Sequence, residues 1–303
     1  MSDGTVDGTT RPTTALPLED LVGDVDRFFA EHWGRQPVFL RARGDLTRLI
    51  SEQEMWDEVE CGLLSRPYFT VFDHGNRAAI ADITTTRTVV GRELAGFADP
   101  VRIRERFAAG GTLKFSQAEH WHPRIRALLK GIESHFQGGL EAFVFLSPPD
   151  RTAMSAHTDG AHVLILQVAG VKDWVLGRLD GTSHSDSTLH EGEIPPELRV
   201  ERTLHPGDVL YMPHGCPHYA TARDGNSIHV AITVEEPTAT DLASVYLAGL
   251  LGDRRYAALS ADHHTEGSLA TIERLRSALG SFLAESDSAD VLGKAVDLRR
   301  AHR

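Results

Sequence analysis

The sequence predicts an α+β protein, in which a jelly roll or barrel of short strands is preceded by mixed elements and followed by helices. Three observations predict this. Between about residues 140 and 237, apolar runs of strand length alternate with turn sequences such as HPG, HGCP and RDGN. Roughly eight short strands in about 95 residues are typical of a closed or two-layered β fold. Apolar residues three and four apart recur before and after this region, as expected for helices.

The N-terminal third is predicted to mix helices and strands. Residues 1–17 are polar and are expected to be a disordered tail. Leu21, Val25 and Phe28 fall at helical spacing, and Pro37 favours an extended chain after that helix. Further segments are predicted as a helix at 51–65, strands at 67–75 and 77–86, and helices at 91–109 and 119–137.

The barrel strands are predicted at AFVFLSP, HVLILQVAG, DWVLGRL, VERTLH, GDVLYMP, HYATA and SIHVAITV. After Pro237 the pattern returns to helix, in TDLASVYLAGLLG and LATIERLRSALGSFLAE. We therefore expect an 18–237 domain with its barrel core at about 140–237, and a helical region at 238–303. The amphipathic stripe of that region predicts a homodimer, because the stripe needs a surface to cover it.

The composition argues against membrane, secreted and nucleic-acid-binding proteins. The chain has 303 residues, a net charge of −12 and two cysteines. No run of apolar residues is long enough for a membrane span, and the N-terminus lacks the features of a signal peptide. These observations predict a cytoplasmic protein that has neither a membrane-spanning segment nor a framework of disulfides. The acidic charge argues against nucleic acid and would suit a basic peptide or protein.

Two His-x-Asp pairs occur, and only their surroundings distinguish them. With 16 histidines in the chain, such a pair is expected by chance. His184-x-Asp186 lies in a Gly- and Ser-rich stretch that predicts a surface loop. His157-x-Asp159 directly precedes a strongly apolar strand, and residues held by strands can meet the geometric tolerance of a metal site.

A third ligand is predicted at His218, which opens a strand after a tight turn. Two histidines and one carboxylate are the ligand set of non-haem Fe(II) oxygenases, in which three coordination positions stay open. A rival grouping, His214-x-Cys216-x-His218, could hold zinc, but it lies in one short turn and no second cysteine is near in sequence.

Lys172 is one of only four lysines and follows a long apolar run. A buried ammonium is costly unless it is paired, and strand alternation directs Asp173 to the opposite face. A bound dicarboxylate such as 2-oxoglutarate would pair with Lys172 while its 2-oxo acid end binds iron. The alternative is that Lys172 lies at a strand end and reaches solvent.

Three segments resemble the JmjC-domain, cupin-type 2-oxoglutarate oxygenases, and most closely the ribosomal oxygenase subgroup. HTDGAHVLILQVAGVKDW is similar to the metal and cosubstrate strands of that family. PGDVLYMPHGCPHYA resembles its second signature, and FFAEHWGRQPVFLRA resembles its N-terminal motif. The resemblance covers about residues 20–237 and implies a double-stranded β-helix.

The resemblance also implies roles for individual residues. Carried over by position, His157, Asp159 and His218 would bind Fe(II), and Lys172 would bind the C5 carboxylate of 2-oxoglutarate. Two further residues are candidates for the cosubstrate pocket. Ser147 keeps a hydroxyl on the strand where relatives often carry polar residues, and Thr233 shares a strand face with His229. Relatives often have Asn and Tyr at the positions of Phe143 and Phe145, so this wall is more apolar here.

The implied activity is hydroxylation of a side chain of a peptide or protein, using O2 and 2-oxoglutarate and releasing succinate and CO2. Demethylation would be hydroxylation of an N-methyl group. One alternative is a tailoring hydroxylase for a free amino acid, modified peptide or small metabolite. The other is an inactive cupin-like binding protein. Only about 66 residues follow Pro237, fewer than larger ribosomal oxygenases carry.

Overall fold

A computed structural model describes residues 16–73, 75–177, 194–262, 264–265 and 267–301. Residues 1–15 of the predicted 1–17 tail and the His184-x-Asp186 pair lie outside these residues. The described helices are α1 Leu18–Val22, α2 Val25–Glu31, α3 Glu52–Glu60, α4 Pro100–Ala108, α5 Pro123–Ile132, α6 Ala239–Leu251, α7 Arg254–Asp262, α8 Ser268–Glu285 and α9 Ser288–Ala301. The described strands are β1 Val38–Arg41, β2 Phe69–Asp73, β3 Asn76–Arg77, β4 Thr84–Val89, β5 Arg92–Ala98, β6 Thr112–Phe115, β7 Gly139–Ser147, β8 His162–Gly177, β9 Arg199–Leu204, β10 Asp208–Met212 and β11 His218–Glu235.

The chain divides into two compact units. The first comprises Met1–His135 with Leu140–Val234, and the second comprises Phe136–Gly139 with Glu235–Arg303. In the first unit, nine strands form one sheet in the order β1-β10-β8-β11-β7-β6-β2-β3, and β9 pairs with β8. The N-terminal strands therefore extend a sheet whose centre is built from residues after 139.

Two long strands, β8 and β11, each serve both layers of the jelly roll. The first half of β8 pairs with β10 and its second half pairs with β9, while β11 runs antiparallel to both halves. Side chains from the two halves, Val163 and Ile165 against Trp174 and Leu176, pack in one buried cluster. The sequence predicted each of these strands as two shorter ones, because the turn residues at their bends read as separators.

The bend of β8 is held by its own residues. Gly170 has a φ of 63°, a conformation that glycine adopts without strain. The Gln167 carboxamide donates hydrogen bonds to the carbonyls of Ala169 and Gly170 and to the Ser227 hydroxyl, at 2.9 to 3.1 Å. The partner strand shifts register at the same level, between Arg223 and Ile228. As a result, both halves of β8 direct apolar side chains into the same interior.

Two predicted elements are wrong in part. The strand expected at 77–86 is a strand only at its ends, in β3 and β4, with a 3₁₀ turn at Ile80–Asp82 between them. Residues 91–109 were expected to form a helix, but 92–98 are strand β5, paired with β4 in a separate two-stranded sheet. Val90 and Gly91 have φ values of 50° and 74°, as a two-residue hairpin turn requires. The helix α4 begins only at Pro100, where Asp99 accepts a hydrogen bond from the Arg102 backbone as the N-cap.

The second unit contains four described helices, α6 to α9, and the two predicted helical segments correspond to α6 and α8. Thr238 and Asp241 cap α6 reciprocally. Val245 of α6 packs against Val291 and Ala295 of α9. On α8 a row of apolar side chains is exposed, formed by Leu269, Ile272, Leu275, Leu279 and Leu283. Among the described residues no helix is long and apolar enough to cross a membrane.

Candidate metal centre

His157 and His218 are held side by side by backbone hydrogen bonds. The His157 amide donates to the His218 carbonyl over 3.1 Å, and the His218 amide donates back over 2.8 Å. His218 is the first residue of β11, and His157 lies in the segment before β8. Asp159 is fixed two residues later, where its carbonyl accepts from the Gly215 amide at 3.0 Å. The turn around Gly215 thus ties the two metal motifs of the sequence together.

Backbone carbonyls also set the orientation of both imidazoles. The Nδ1 atoms of His157 and His218 lie 2.9 and 3.0 Å from the carbonyl oxygens of Ser155 and Cys216. A carbonyl can only accept, so each Nδ1 carries the proton and each Nε2 keeps its lone pair. Those Nε2 atoms lie 3.9 Å (His157) and 3.5 Å (His218) from the Asp159 carboxylate. One ligand atom of each of the three residues lies within 4.8 Å of the others.

This donor set fits iron. Two neutral imidazoles and one carboxylate on one side of an ion leave coordination positions open for small molecules. Burial lowers the pKa of His218, which keeps the imidazole in the neutral form that binds a metal. Both histidines are buried, whereas the Asp159 side chain is 40% exposed, so the carboxylate side of the centre is accessible.

The rival zinc grouping does not form. The described residues contain one cluster of three metal-binding side chains, and it consists of His157, Asp159 and His218. Cys216 packs in the interior of the jelly roll, where its thiol contacts the Gly177 carbonyl at 3.6 Å. Burial raises the pKa of Cys216 to about 12, so a thiolate ligand is disfavoured there.

Lys172 lies inside the same jelly roll and is 2% exposed. Its ammonium donates to the Ser147 hydroxyl at 3.0 Å and lies 3.4 Å from His229 Nδ1. No ion pair of Lys172 is present among the described residues, and Asp173 pairs instead with Arg223 at 2.9 Å. Burial lowers the pKa of Lys172 to about 7. The alternative that Lys172 reaches solvent is therefore wrong.

His229 is a neutral part of the wall around this ammonium. Its pKa lies well below the ordinary value, first through burial and then through the charge of Lys172. The ring stacks on Phe145, with centroids 4.7 Å apart and planes inclined by 7°. Trp174 packs against its edge at 5.5 Å. The sequence gave no sign of the contact between His229 and Lys172.

The two predicted pocket hydroxyls differ in their partners. Ser147 accepts from Lys172 and lies 3.2 Å from the Thr112 hydroxyl on the neighbouring strand β6. Thr233, on β11 opposite Val163, has a buried hydroxyl without a hydrogen-bond partner among the described residues. A buried polar atom of this kind is costly unless a ligand or water completes it. Both hydroxyls can therefore contribute to a polar ligand site.

Sequence reasoning missed Lys114. It lies on β6 directly beside Phe145 of β7. Its ammonium lies 4.1 Å from the ring centre of Phe143 and 5.4 Å from that of Phe145. Burial lowers its pKa to about 8, and Asp159 exerts the strongest opposing charge effect. The rarity of lysine in this chain was the only signal in the sequence.

Known proteins are similar to this chain in sequence over the region that contains these motifs. A family model described as JmjC domain matches residues 116–242. The chain is 25% identical over 221 residues to a Drosophila grimshawi protein named bifunctional lysine-specific demethylase and histidyl-hydroxylase NO66, covering 69% of this chain and 29% of that protein. It is 23% identical over 228 residues to Mus musculus ribosomal oxygenase 2, covering 69% and 44%. The chain thus spans less than half the length of either relative.

Solved structures show the same fold. An X-ray structure of Escherichia coli ycfD superposes with a TM-score of 0.60 at 19% identity, covering 88% of this chain and 69% of that one. The Escherichia coli ribosomal oxygenase YcfD in complex with cobalt and 2-oxoglutarate gives 0.58 at 17%, covering 88% and 68%. The predicted JmjC-type fold is confirmed. Residues 116–242 match the JmjC domain model, and the fold of the chain is of the JmjC type.

Proposed function

We propose that this protein is an Fe(II)- and 2-oxoglutarate-dependent oxygenase that hydroxylates a side chain of a peptide or protein. The observation that carries the proposal is the pairing of two features in one jelly roll. Three metal-binding atoms converge within 4.8 Å, and a fully enclosed lysine lacks a carboxylate partner among the described residues. A dicarboxylate that binds the metal with one end and the lysine with the other satisfies both.

The chain's own residues would do the binding. His157, Asp159 and His218 would hold iron through two Nε2 atoms and a carboxylate oxygen, with Nδ1 protons fixed by the Ser155 and Cys216 carbonyls. Lys172 would pair with the distal carboxylate of 2-oxoglutarate. Iron, 2-oxoglutarate and O2 together supply an oxidation that releases succinate and CO2 and adds one oxygen atom to a substrate C–H bond.

The walls would keep this chemistry dry. His229 lies beside the Lys172 ammonium, and Phe145 and Trp174 pack on His229, so these rings would exclude water where the distal carboxylate would bind. Ser147 donates or accepts there as needed, and Thr233 offers an uncommitted hydroxyl. The half-exposed Asp159 side of the centre is the route by which a substrate would approach.

A peptide or protein substrate is supported by the names of the relatives, which include histidyl-hydroxylase, lysine-specific demethylase and ribosomal oxygenase. We further propose a cytoplasmic homodimer. The exposed apolar row on α8 supports the dimer, because two copies of this helix can cover each other's row. The net charge of −12 agrees with a partner other than nucleic acid.

Succinate release tests the activity. The wild type, incubated with Fe(II), 2-oxoglutarate, O2 and pools of peptides or free amino acids, is expected to release succinate in step with product mass gains of one oxygen. Asp159→Ala should abolish release. Turnover of free amino acids but not of peptides would replace the peptide substrate with a small one. Binding of 2-oxoglutarate without any turnover across the pools would favour a binding protein.

A further inference from the structure

A second, half-buried cation, Lys114, lies on the sheet face that also carries Phe145 and Ser147. Lys114 lies on β6, between Thr70 of β2 and Phe145 of β7. Asp159, one of the three metal-binding residues, exerts the strongest attractive charge effect on it. Lys114 is only partly exposed, and its ammonium rests against the rings of Phe143 and Phe145. The strands and the two rings therefore fix the position of this ammonium, unlike that of a mobile surface lysine.

This cation is distinct from Lys172. In the sheet, β7 lies between β11 and β6, so Phe145 separates His229 of β11 from Lys114 of β6. His229 and Ser147 contact the Lys172 ammonium, whereas the contacts recorded for the Lys114 ammonium among the described residues are with the aromatic rings. A carboxylate held by Lys172 is enclosed at the inner end, and one held by Lys114 would lie at the outer end.

Arg77 adds a second positive charge at the same place. It lies on β3 with its guanidinium 5.9 Å from the ring centre of Phe72, and Phe72 is the β2 neighbour of both Arg77 and Thr112. The charge of Arg77 lowers the pKa of Lys114. Across the described residues, neither Arg77 nor Lys114 has an ion-pair partner. Arg77 and Lys114 lie on the same face of the sheet, because Phe72 pairs with Arg77 and Thr70, two residues away on β2, pairs with Lys114.

Metal binding would increase the excess of positive charge around Lys114. Glu141 and Asp159 are the acidic groups whose charges favour protonated Lys114, and Asp159 has the larger effect. A dication bound to Asp159 would cancel that attraction and add repulsion. A partly desolvated amine beside a dication loses its proton more readily, and a carboxylate bound next to it restores the charged form.

We propose that Lys114 and Arg77 form an anion subsite that binds a carboxylate of the substrate at the entrance to the metal centre. The substrate is then a molecule with a carboxylate close to the hydroxylated carbon, such as an acidic side chain, a peptide C-terminus or a free amino acid. This subsite rests on the proposed oxygenase function, since it orients a C–H bond toward the metal. Lys114 is a substrate-binding residue and takes no part in holding 2-oxoglutarate.

The subsite can be tested with trifluoroacetate as the carboxylate probe. The protein is loaded anaerobically with Mn(II) and 2-oxoglutarate, which occupies Lys172, and the 19F relaxation of trifluoroacetate is measured. Trifluoroethanol serves as the uncharged control probe. We expect trifluoroacetate, but not trifluoroethanol, to be relaxed by Mn(II). Lys114→Met should reduce that relaxation at least about fivefold, as loss of one charge-assisted hydrogen bond predicts.

Two variants keep the test decisive. Lys130→Met, the same change at an exposed lysine of α5, should retain wild-type relaxation. Arg77→Gln, on an exposed strand, should weaken it if Lys114→Met fails to fold. When Mn(II) is bound, equal relaxation in wild type and Lys114→Met, or none in the wild type, overturns the subsite. If Mn(II) does not bind but 19F line broadening still depends on Lys114, the oxygenase proposal fails and the subsite survives.

Discussion

The Lys172 ammonium donates a hydrogen bond to the Ser147 hydroxyl over 3.0 Å, inside a jelly roll where the described chain provides it with no carboxylate. A neutral hydroxyl cannot offset the desolvation of a cation, and the pKa of Lys172 accordingly falls to about 7. The protein thus carries an unbalanced charge at the inner end of its candidate site. That imbalance makes the binding of an anion there favourable.

The affinity for 2-oxoglutarate should depend on pH through Lys172. Binding needs the ammonium, and its lowered pKa means that the protonated fraction falls above about pH 7. The affinity should therefore decrease roughly tenfold per pH unit between about pH 7 and 9. Calorimetry on metal-loaded protein across this range measures it. Lys172→Met should bind weakly with no such slope, and a flat profile in the wild type would refute the pairing.

Removing Lys172 should also stabilise the ligand-free protein. In the unfolded chain the amine keeps its ordinary pKa, so between about pH 7 and 10.5 the unfolded state binds more protons and wild-type stability rises with pH. Lys172→Met removes the buried group, and its gain in free energy of unfolding should be largest below pH 7 and vanish near pH 10.5. Thermal unfolding at several pH values checks this. A variant less stable than wild type at low pH would contradict it.

The hydroxyl of Thr233 should cost stability when no ligand is bound. It is buried without a hydrogen-bond partner among the described residues, so Thr233→Val should raise the free energy of unfolding by about 1 kcal/mol. If the hydroxyl contacts 2-oxoglutarate, the same variant should lower its affinity several-fold. Stabilisation with unchanged affinity would remove Thr233 from the cosubstrate pocket.

Gly170 should be needed to place Lys172, two residues further along β8. A Cβ there would overlap the Asn226 carbonyl oxygen, and the φ of 63° is strained for other residues. Gly170→Ala should therefore cost more than about 2 kcal/mol in free energy of unfolding and weaken 2-oxoglutarate binding. Gly293→Ala is the matched control. Its Cβ meets nothing on helix α9, so it should stabilise by about 0.5–1 kcal/mol.

The apolar row on α8 should hold two copies together. Leu275→Asp places a charge in the middle of that row at an exposed position, so the fold should survive while the dimer dissociates. Arg276→Asp, exposed on the same helix but outside the row, is the control. Light scattering should give a dimer for the wild type and the control. A monomeric wild type would refute the dimer.

Much of the centre of this fold could be predicted from local patterns. A strand pattern follows His157 and a tight-turn sequence precedes His218, so both segments could be recognised locally. In the structure, backbone hydrogen bonds join the two histidines. Lys172 could be singled out because a lysine in an apolar run contradicts its surroundings. In each case the signal lay within about 20 residues of the functional group.

Other features depend on pairing between distant strands. Lys114 lies in the short strand β6, and only its register with β7 sets it beside Phe143 and Phe145. The contact of His229 with Lys172 likewise joins residues 57 positions apart. The helix predicted at 91–99 was wrong because its residues also fit a helical pattern. The Val90–Gly91 turn makes this segment a hairpin, and its sequence is not one of the common hairpin turns.

The central claim is that one site holds both a metal and 2-oxoglutarate, and anaerobic titration of 2-oxoglutarate with and without Fe(II) tests it most directly. We expect the wild type to bind one equivalent of 2-oxoglutarate, with an affinity that depends on Fe(II). His157→Ala should lose at least about a hundredfold in Fe(II) affinity, because it removes a ligand atom. His214→Ala, which changes only the rival zinc grouping, should bind like the wild type. Fe(II)-independent binding of 2-oxoglutarate, or unchanged Fe(II) binding by His157→Ala, would contradict the account.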